Sequence, residues 1–239
     1  TARMIPGDLR LRLVAAVLLV LAASQLAHLG PALAALALAL ILALAARPGR
    51  ALWRRLRHVE GFVALLLLTL PFAVPGAPLL TLGPLSASLE GLSRAALLAA
   101  KVSTAALVLL ALLGTVEPIR LGAALHALRL PEPLVRLFVL TLRYLGLIGD
   151  EARRLREAMR ARAFRARTDR HTWRSFGNLI GMLLVRALDR ARRVEEAMRL
   201  RGFSGRFPHA ALAAPTARDW TSFALLTGLA AAALLLDRL

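Results

Sequence analysis

Two arginines, Arg162 and Arg201, stand 39 residues apart at matching places in a unit that the chain writes twice. The unit runs Asp150-Glu-Ala-Arg-Arg-Leu-Arg-Glu-Ala-Met-Arg-Ala-Arg-Ala-Phe164. It returns as Asp189-Arg-Ala-Arg-Arg-Val-Glu-Glu-Ala-Met-Arg-Leu-Arg-Gly-Phe203, with 10 of 15 positions identical. A guanidinium is permanently charged and presents a planar fork of donors. Held at a helix end beside small neighbours, it suits insertion into an acidic groove with bidentate carboxylate pairing. The neighbours are Ala161 and Ala163 in the first copy, Leu200 and Gly202 in the second. Two equal plugs fit a partner with two equal or near-equal subunits, as in a dimeric ATPase. An Arg-rich face resting on anionic lipid headgroups, at about 1 kcal/mol per basic residue, competes with the plug. Lipid attraction needs no repeated Glu-Ala-Met-Arg-x-Arg-x-Phe pattern, and the repetition favours a protein partner.

Helices must position these groups. Asp150 and Arg154 stand four apart, as do Asp189 and Arg193, acid first, which is worth about 0.2–0.5 kcal/mol per pair on an exposed helix. Ala158-Met159 and Ala197-Met198 lie one turn before the arginines, and methionine offers an adaptable apolar contact. Gly202 is expected to cap the second helix, with Gly205 and Pro208 marking the stop. Ala163 replaces that glycine in the first copy, which predicts a less sharp end nearer Thr168. Two longer helices are expected between Glu117 and Arg206, a stretch with 20 arginines, one opening at Pro131-Glu-Pro133. Their apolar stretches, Leu137–Gly149 and Phe176–Leu188, are 13 residues each and contain Arg143 and Arg186. Such stretches are too short and too charged to span a bilayer readily, and read as amphipathic helices along or into its cytoplasmic face.

The rest of the chain is apolar. It is 239 residues long and 58% hydrophobic, with 32 basic against 14 acidic residues, a net charge of +18 and no cysteine. The mean hydropathy is +0.64. A soluble domain is roughly 45–50% apolar, so this balance describes a membrane protein with basic aqueous parts. Nucleic acid is a poor match for the charge, because long Leu-Ala runs dominate and stacking aromatics are scarce. Apolar spans are expected over Leu13–Leu29, Pro31–Ala46, Gly61–Val74, Gly91–Val116 and Ala217–Leu236, with a turn at Gly30-Pro31. The first, with Arg3, Arg10 and Arg12 before it, is read as a retained span rather than a signal peptide. The segment Pro75–Ser88, with Pro75, Pro78 and Pro84, reads as a loop, and Arg47–Glu60 as a basic connection. The basic N-terminus and 47–60 segment place the N-terminus in the cytoplasm. The expected fold is thus an all-α polytopic membrane protein. Residues 1–116 hold four transmembrane helices, 117–209 a cytoplasmic domain of amphipathic helices, and 210–239 the last span.

Other polar residues carry less. Lys101, the one lysine, lies seven residues after Arg94 on the same face of the fourth helix. Arg94 can snorkel to the outer surface, whereas Lys101 is about 10 Å deeper by helix rise and is expected to face protein, a substrate-binding subunit among the candidates. His28, His58, His126, His171 and His209 are scattered without ligand spacing, so no metal site is expected. No glycine-rich phosphate loop is present, so ATP would be bound elsewhere, and no acid pair or nucleophile constellation indicates catalysis. Trp53, Trp173 and Trp220 fall near predicted interfaces, as membrane aromatic belts do. A lipid-binding membrane adaptor or assembly protein remains the alternative class. A self-contained carrier is disfavoured, since it would need charges within several spans.

The duplicated unit resembles the T component of energy-coupling factor transporters, the membrane subunit that joins a substrate-binding membrane protein to two ABC-type ATPases. In that family two Ala-Arg-Gly motifs end cytoplasmic coupling helices, each arginine entering a groove of one ATPase. Here the motifs are Ala161-Arg162-Ala163 and Leu200-Arg201-Gly202, each departing at one position. The stretch from His171-Thr-Trp-Arg-Ser-Phe-Gly-Asn-Leu-Ile-Gly-Met-Leu-Leu through Arg201-Gly-Phe-Ser-Gly205 is similar to the cobalt branch, CbiQ, with nickel relatives close by. The likeness is strongest over about residues 131–209. It implies a non-catalytic scaffold of a cobalt or nickel importer in the bacterial inner membrane. ATP would be hydrolysed on the partners, and any metal carried by the substrate-binding subunit.

Overall fold

The computed structural model describes residues 5–46, 50–82, 85–203 and 212–238. Arg3, Arg47, Pro84, Gly205, Pro208 and His209 lie outside the described residues. The chain divides into two compact units, one of Thr1–Glu117 with Leu212–Leu239 and one of Pro118–Ala211. In the first are α1 (Leu9–Gln25), α2 (Leu29–Ala45), α3 (Arg50–Ala73), a ribbon of β1 (Pro78–Leu82) and β2 (Leu85–Ser88), α4 (Leu89–Leu113) and, last in the chain, α8 (Ala217–Arg238). In the second are α5 (Pro118–Ala127), α6 (Glu132–Ala161) and α7 (Arg170–Leu200). Apart from the ribbon, the described fold is all-helical.

The first unit packs α1, α2, α4 and α8 around Ala15, Leu19, Ala39, Leu42, Leu112 and Leu226. Alanine dominates the contact faces because small side chains let helices approach closely where lipid supplies no hydrophobic drive between them. Outward-facing Leu21, Leu33, Ile41 and Leu68 remain exposed, an apolar exterior suited to lipid. Helices α4 and α8, 25 and 22 residues long, have the length and hydropathy to cross a membrane, while α2 and the apolar part of α3 (Val59–Ala73) are shorter.

Two carboxylates of α8 fix the path of α1. Asp219 accepts hydrogen bonds from the Gly7 and Asp8 amides before α1 and from the Thr216 amide and hydroxyl. Asp237 accepts the Ala27 and His28 amides at 2.7 and 2.8 Å, just after α1. The two acids stand 18 residues apart, five turns at 3.6 residues per turn, and so share the helix face that meets α1. Asp8 in turn caps α1 by accepting the Arg10 and Leu11 amides.

Several expectations need correction. The first helix ends at Gln25, and the turn falls on residues 26–28, not at Gly30-Pro31. Pro31 sits in the first turn of α2, where its missing N–H would have no intrahelical partner anyway. Arg50–Glu60 is not a loop but the first half of a continuous α3, arginine being a good helix former. The 75–88 segment is not all loop: β1 and β2 pair antiparallel, Leu82 opposite Leu85 and Pro78 opposite Ser88. Pro78 is the first residue of its strand, where the ladder tolerates proline. Ser88 then caps α4 through the Gly91 amide and donates to the Val74 carbonyl.

In the second unit, α5 is an additional helix between the fourth span and Pro131. It packs on α6 where Gly122 meets Val139, and a Cβ at residue 122 would collide with that valine. Ala124 and Val135 are fully buried beside this contact. Helix α6 opens at Pro131-Glu-Pro133 as expected, with Glu132 in its first turn. Asp169 caps α7 by accepting the Thr172 amide at 2.8 Å. The two longer helices expected here are α6 and α7, of 30 and 31 residues, each carrying one amphipathic stretch followed by one copy of the repeated unit.

Candidate functional site

Both copies of the repeated unit end their helices in the same way. Arg162 caps α6 with φ −90° and ψ 25°, and Arg201 caps α7 with φ −88° and ψ 14°. One residue later the chain turns left-handed, at Ala163 (φ 59°) and Gly202 (φ 74°). The Ala163 amide donates to the Arg160 carbonyl and the Phe164 amide to that of Met159. In the second copy Gly202 donates to Arg199 and Phe203 to Met198. This paired 6→1 and 5→2 pattern is the Schellman motif, usually joined by an apolar pair at those same 6→1 positions. The repeated Met-x-x-x-x-Phe spacing therefore encodes the stop. Helix α5 ends likewise, with Arg129 at φ 61° and the Leu130 amide on the Leu125 carbonyl.

The end expected near Thr168 thus falls at Ala161, as sharp as its counterpart. Glycine is not required, because the hydrogen bonds impose the left-handed step on alanine at roughly 1–2 kcal/mol. Ala161, Arg162 and Ala163 are exposed, as are Leu200, Arg201 and Gly202. Both arginines therefore stand at open helix ends with their backbones in matching conformations.

The two helices are antiparallel and meet near Glu151. This carboxylate accepts hydrogen bonds from Arg154 on its own helix and from Arg186 on α7. The hydrogen bond from Arg154, and after it the one from Arg186, holds the Glu151 carboxyl below the usual range. Leu147, Ile148, Leu183 and Ala187 line the crevice at the same place. By helix rise, Arg162 lies about 16 Å and Arg201 about 22 Å beyond the crossing residues Glu151 and Arg186, on opposite arms. A groove of about 670 Å3 runs between the first half of α6 and the end of α7, where the Arg136 guanidinium lies 5.7 Å over the Phe203 ring. A second groove, of about 620 Å3, lies between the end of α6 and the start of α7, with Met159, Phe164 and Arg162 on its wall. Phe164 also meets Phe176 edge-on, ring centres 5.9 Å apart.

The expected acid–base pairs form differently. Asp150 takes Arg153, and Arg154 goes to Glu151, so the spacing is three rather than four. No Asp189–Arg193 pair forms; the second copy instead joins Glu195 to Arg199 four residues on. Lys101 donates to the Ser24 carbonyl at 3.0 Å, so its ammonium meets the open end of α1 and lies level with the α1–α2 turn. Among the described residues no three His, Asp or Glu side chains come together. His28 sits against Asp237 and His126 against Glu132. Residue type alone marks neither Glu151 as the crossing contact nor the Met–Phe pairs as helix stops. Their signal was present in the five-residue Met-to-Phe spacing and in position 151, where the copies differ as Glu and Arg190.

A comparison with curated proteins finds no match. The profile of the family described as cobalt transport protein, CbiQ, matches residues 3–210, which takes in the apolar helices α1–α4 and both arginine-ended helices. A match over most of its length shows that the chain belongs to the CbiQ family and is a membrane component of cobalt transport.

Proposed function

We propose that the chain is the coupling subunit of an energy-coupling factor importer for cobalt, with nickel as the alternative cargo. Arg162 and Arg201 would each enter a groove on one of two ABC-type ATPases, pairing with carboxylates there. The observation that carries this reading is the pair of matching Schellman ends, each presenting an exposed arginine on opposite arms of one crossing. Pivoting of the ATPases on ATP binding and release would move the two arms about the Glu151–Arg186 contact. That motion would tilt or release a substrate-binding membrane subunit, which carries the metal. The N-terminus and the arginine-rich unit lie in the cytoplasm by the positive-inside rule, and the membrane is the bacterial inner membrane. The chain itself holds no nucleotide or metal; both belong to its partners.

The test is copurification. With both arginines replaced, Arg162→Glu and Arg201→Glu, the membrane subunit should no longer bring the ATPases down, because each carboxylate socket then meets a like charge. Intact complexes that still transport metal would exclude the mechanism. High salt combined with graded loss over scattered arginine substitutions would point instead to an adaptor held on anionic lipid.

A further inference from the structure

The two tips share a backbone but not a chemistry. At the last helical position the first copy has Ala161 and the second Leu200, and Leu200 is 88% exposed, the highest value for a large apolar side chain among the described residues. It borders neither α6–α7 groove. At the second tip a bulky apolar side chain thus stands directly beside the docking arginine, where the first tip has only a methyl group. The charges differ as well. Next to the second tip, Arg199 is tied to Glu195. In the first copy an arginine, Arg156, takes the place of Glu195, and it donates to the Ala152 carbonyl instead. The first tip therefore keeps Arg160 without that acid, and Arg165 and Arg167 line the groove beside Arg162.

We propose that the tips are unequal docking elements: Arg162 binds its ATPase by charge, whereas Arg201 binds its ATPase together with Leu200, which fills an apolar recess beside the carboxylate. The inference rests on the coupling reading given above. It identifies the surface each tip requires, a broad acidic one for the first and a leucine-sized apolar pocket for the second. It follows that the two sockets are non-equivalent in the working complex, either through two different ATPase chains or through one chain engaged in two ways.

The full-length membrane subunit in lipid nanodiscs, titrated with the ATPases recovered from its own complex, provides the test. Leu200→Ala should weaken binding about tenfold, as removal of one well-buried leucine does. Its exposed position leaves the fold unaffected. Single-tip forms separate the two modes. With Arg201→Glu and Leu200→Ala, binding through the first tip should fall steeply between about 0.05 and about 0.5 M salt. With Arg162→Glu, binding through the second should change far less. Because the chain has no cysteine, Leu200→Cys and Ala161→Cys each carry one environment-sensitive dye. The dye at 200 should shift to the blue on ATPase addition, and the dye at 161 much less. Unchanged affinity for Leu200→Ala, or equal salt dependence of the single-tip forms, overturns the inequality while leaving docking intact. Undiminished binding by the double Arg→Glu form overturns the coupling reading itself.

Discussion

Ala163 and Gly202 hold the same left-handed backbone, φ 59° and 74°, one residue after Arg162 and Arg201. Glycine takes this conformation without a steric penalty, whereas alanine crowds its Cβ against the following carbonyl. Ala163→Gly should therefore stabilise the α6 end by about 0.5–1 kcal/mol, and Gly202→Ala should weaken the α7 end by about 1 kcal/mol. Hydrogen exchange reads each end directly, since the Phe164 and Phe203 amides close the two motifs. Exchange at Phe164 should slow about threefold in the first variant, and exchange at Phe203 should speed up about fivefold in the second. Equal exchange in parent and variants would mean that the turns are not fixed by these residues.

Glu151 ties the two arms together, and its carboxyl is held low by the hydrogen bonds from Arg154 and Arg186. A depressed carboxylate stabilises the fold fully above its unfolded value, about 4.3, and loses that contribution as pH falls through the lower folded value. The crossing should therefore hold at neutral pH and loosen only in acid. Spin labels at Arg156→Cys and Arg192→Cys, on arms beyond the crossing, should give one narrow distance distribution at neutral pH that broadens on acidification. Glu151→Gln should be broad at neutral pH already and respond little to acid. An acid response identical in both forms would remove Glu151 from this role.

Arg162 and Arg201 are legible as helix-end residues because the chain repeats the unit that carries them, including the methionine and phenylalanine five apart that close each Schellman motif. Ala163 misleads for a local reason. Alanine is the strongest helix former, and its left-handed step comes from hydrogen bonds to Met159 and Arg160 rather than from its own preference. The charged half of α3 reads as a connection when helices are sought through apolar runs, although Arg54 and Arg57 favour helix as well as most residues do. Asp237 carries no local signal at all. Its partners are Ala27 and His28, about 210 residues away in sequence, and near the end of a span it looks like any flanking charge. Lys101 is legible as a lysine that needs a partner, but not as one that finds it in the carbonyl of Ser24.

Asp219 and Asp237 grip opposite ends of α1 from one face of α8. Each accepts backbone amides that have no helical partner of their own, at Gly7 and Asp8 for the first and at Ala27 and His28 for the second. Asparagine at 237 sets an NH2 group against the Ala27 or the His28 N–H, and asparagine at 219 sets one against the Thr216 N–H or against those of Gly7 and Asp8, so in each case a partly buried donor loses its acceptor. Asp219→Asn should loosen the entry to α1, and Asp237→Asn should loosen the α1–α2 turn. Each should lower the thermal midpoint of the detergent-solubilised protein. The two sites are about 27 Å apart by helix rise and share no partner, so their effects should add in the double variant. Trp220, stacked edge-on against Phe223 beside Asp219, reports the first site by fluorescence. A labelled Ala27→Cys reports the second. If Asp237→Asn leaves both the midpoint and the label mobility at residue 27 unchanged, the turn is held by the packing of Leu26 against Ala32 and Ala100 instead.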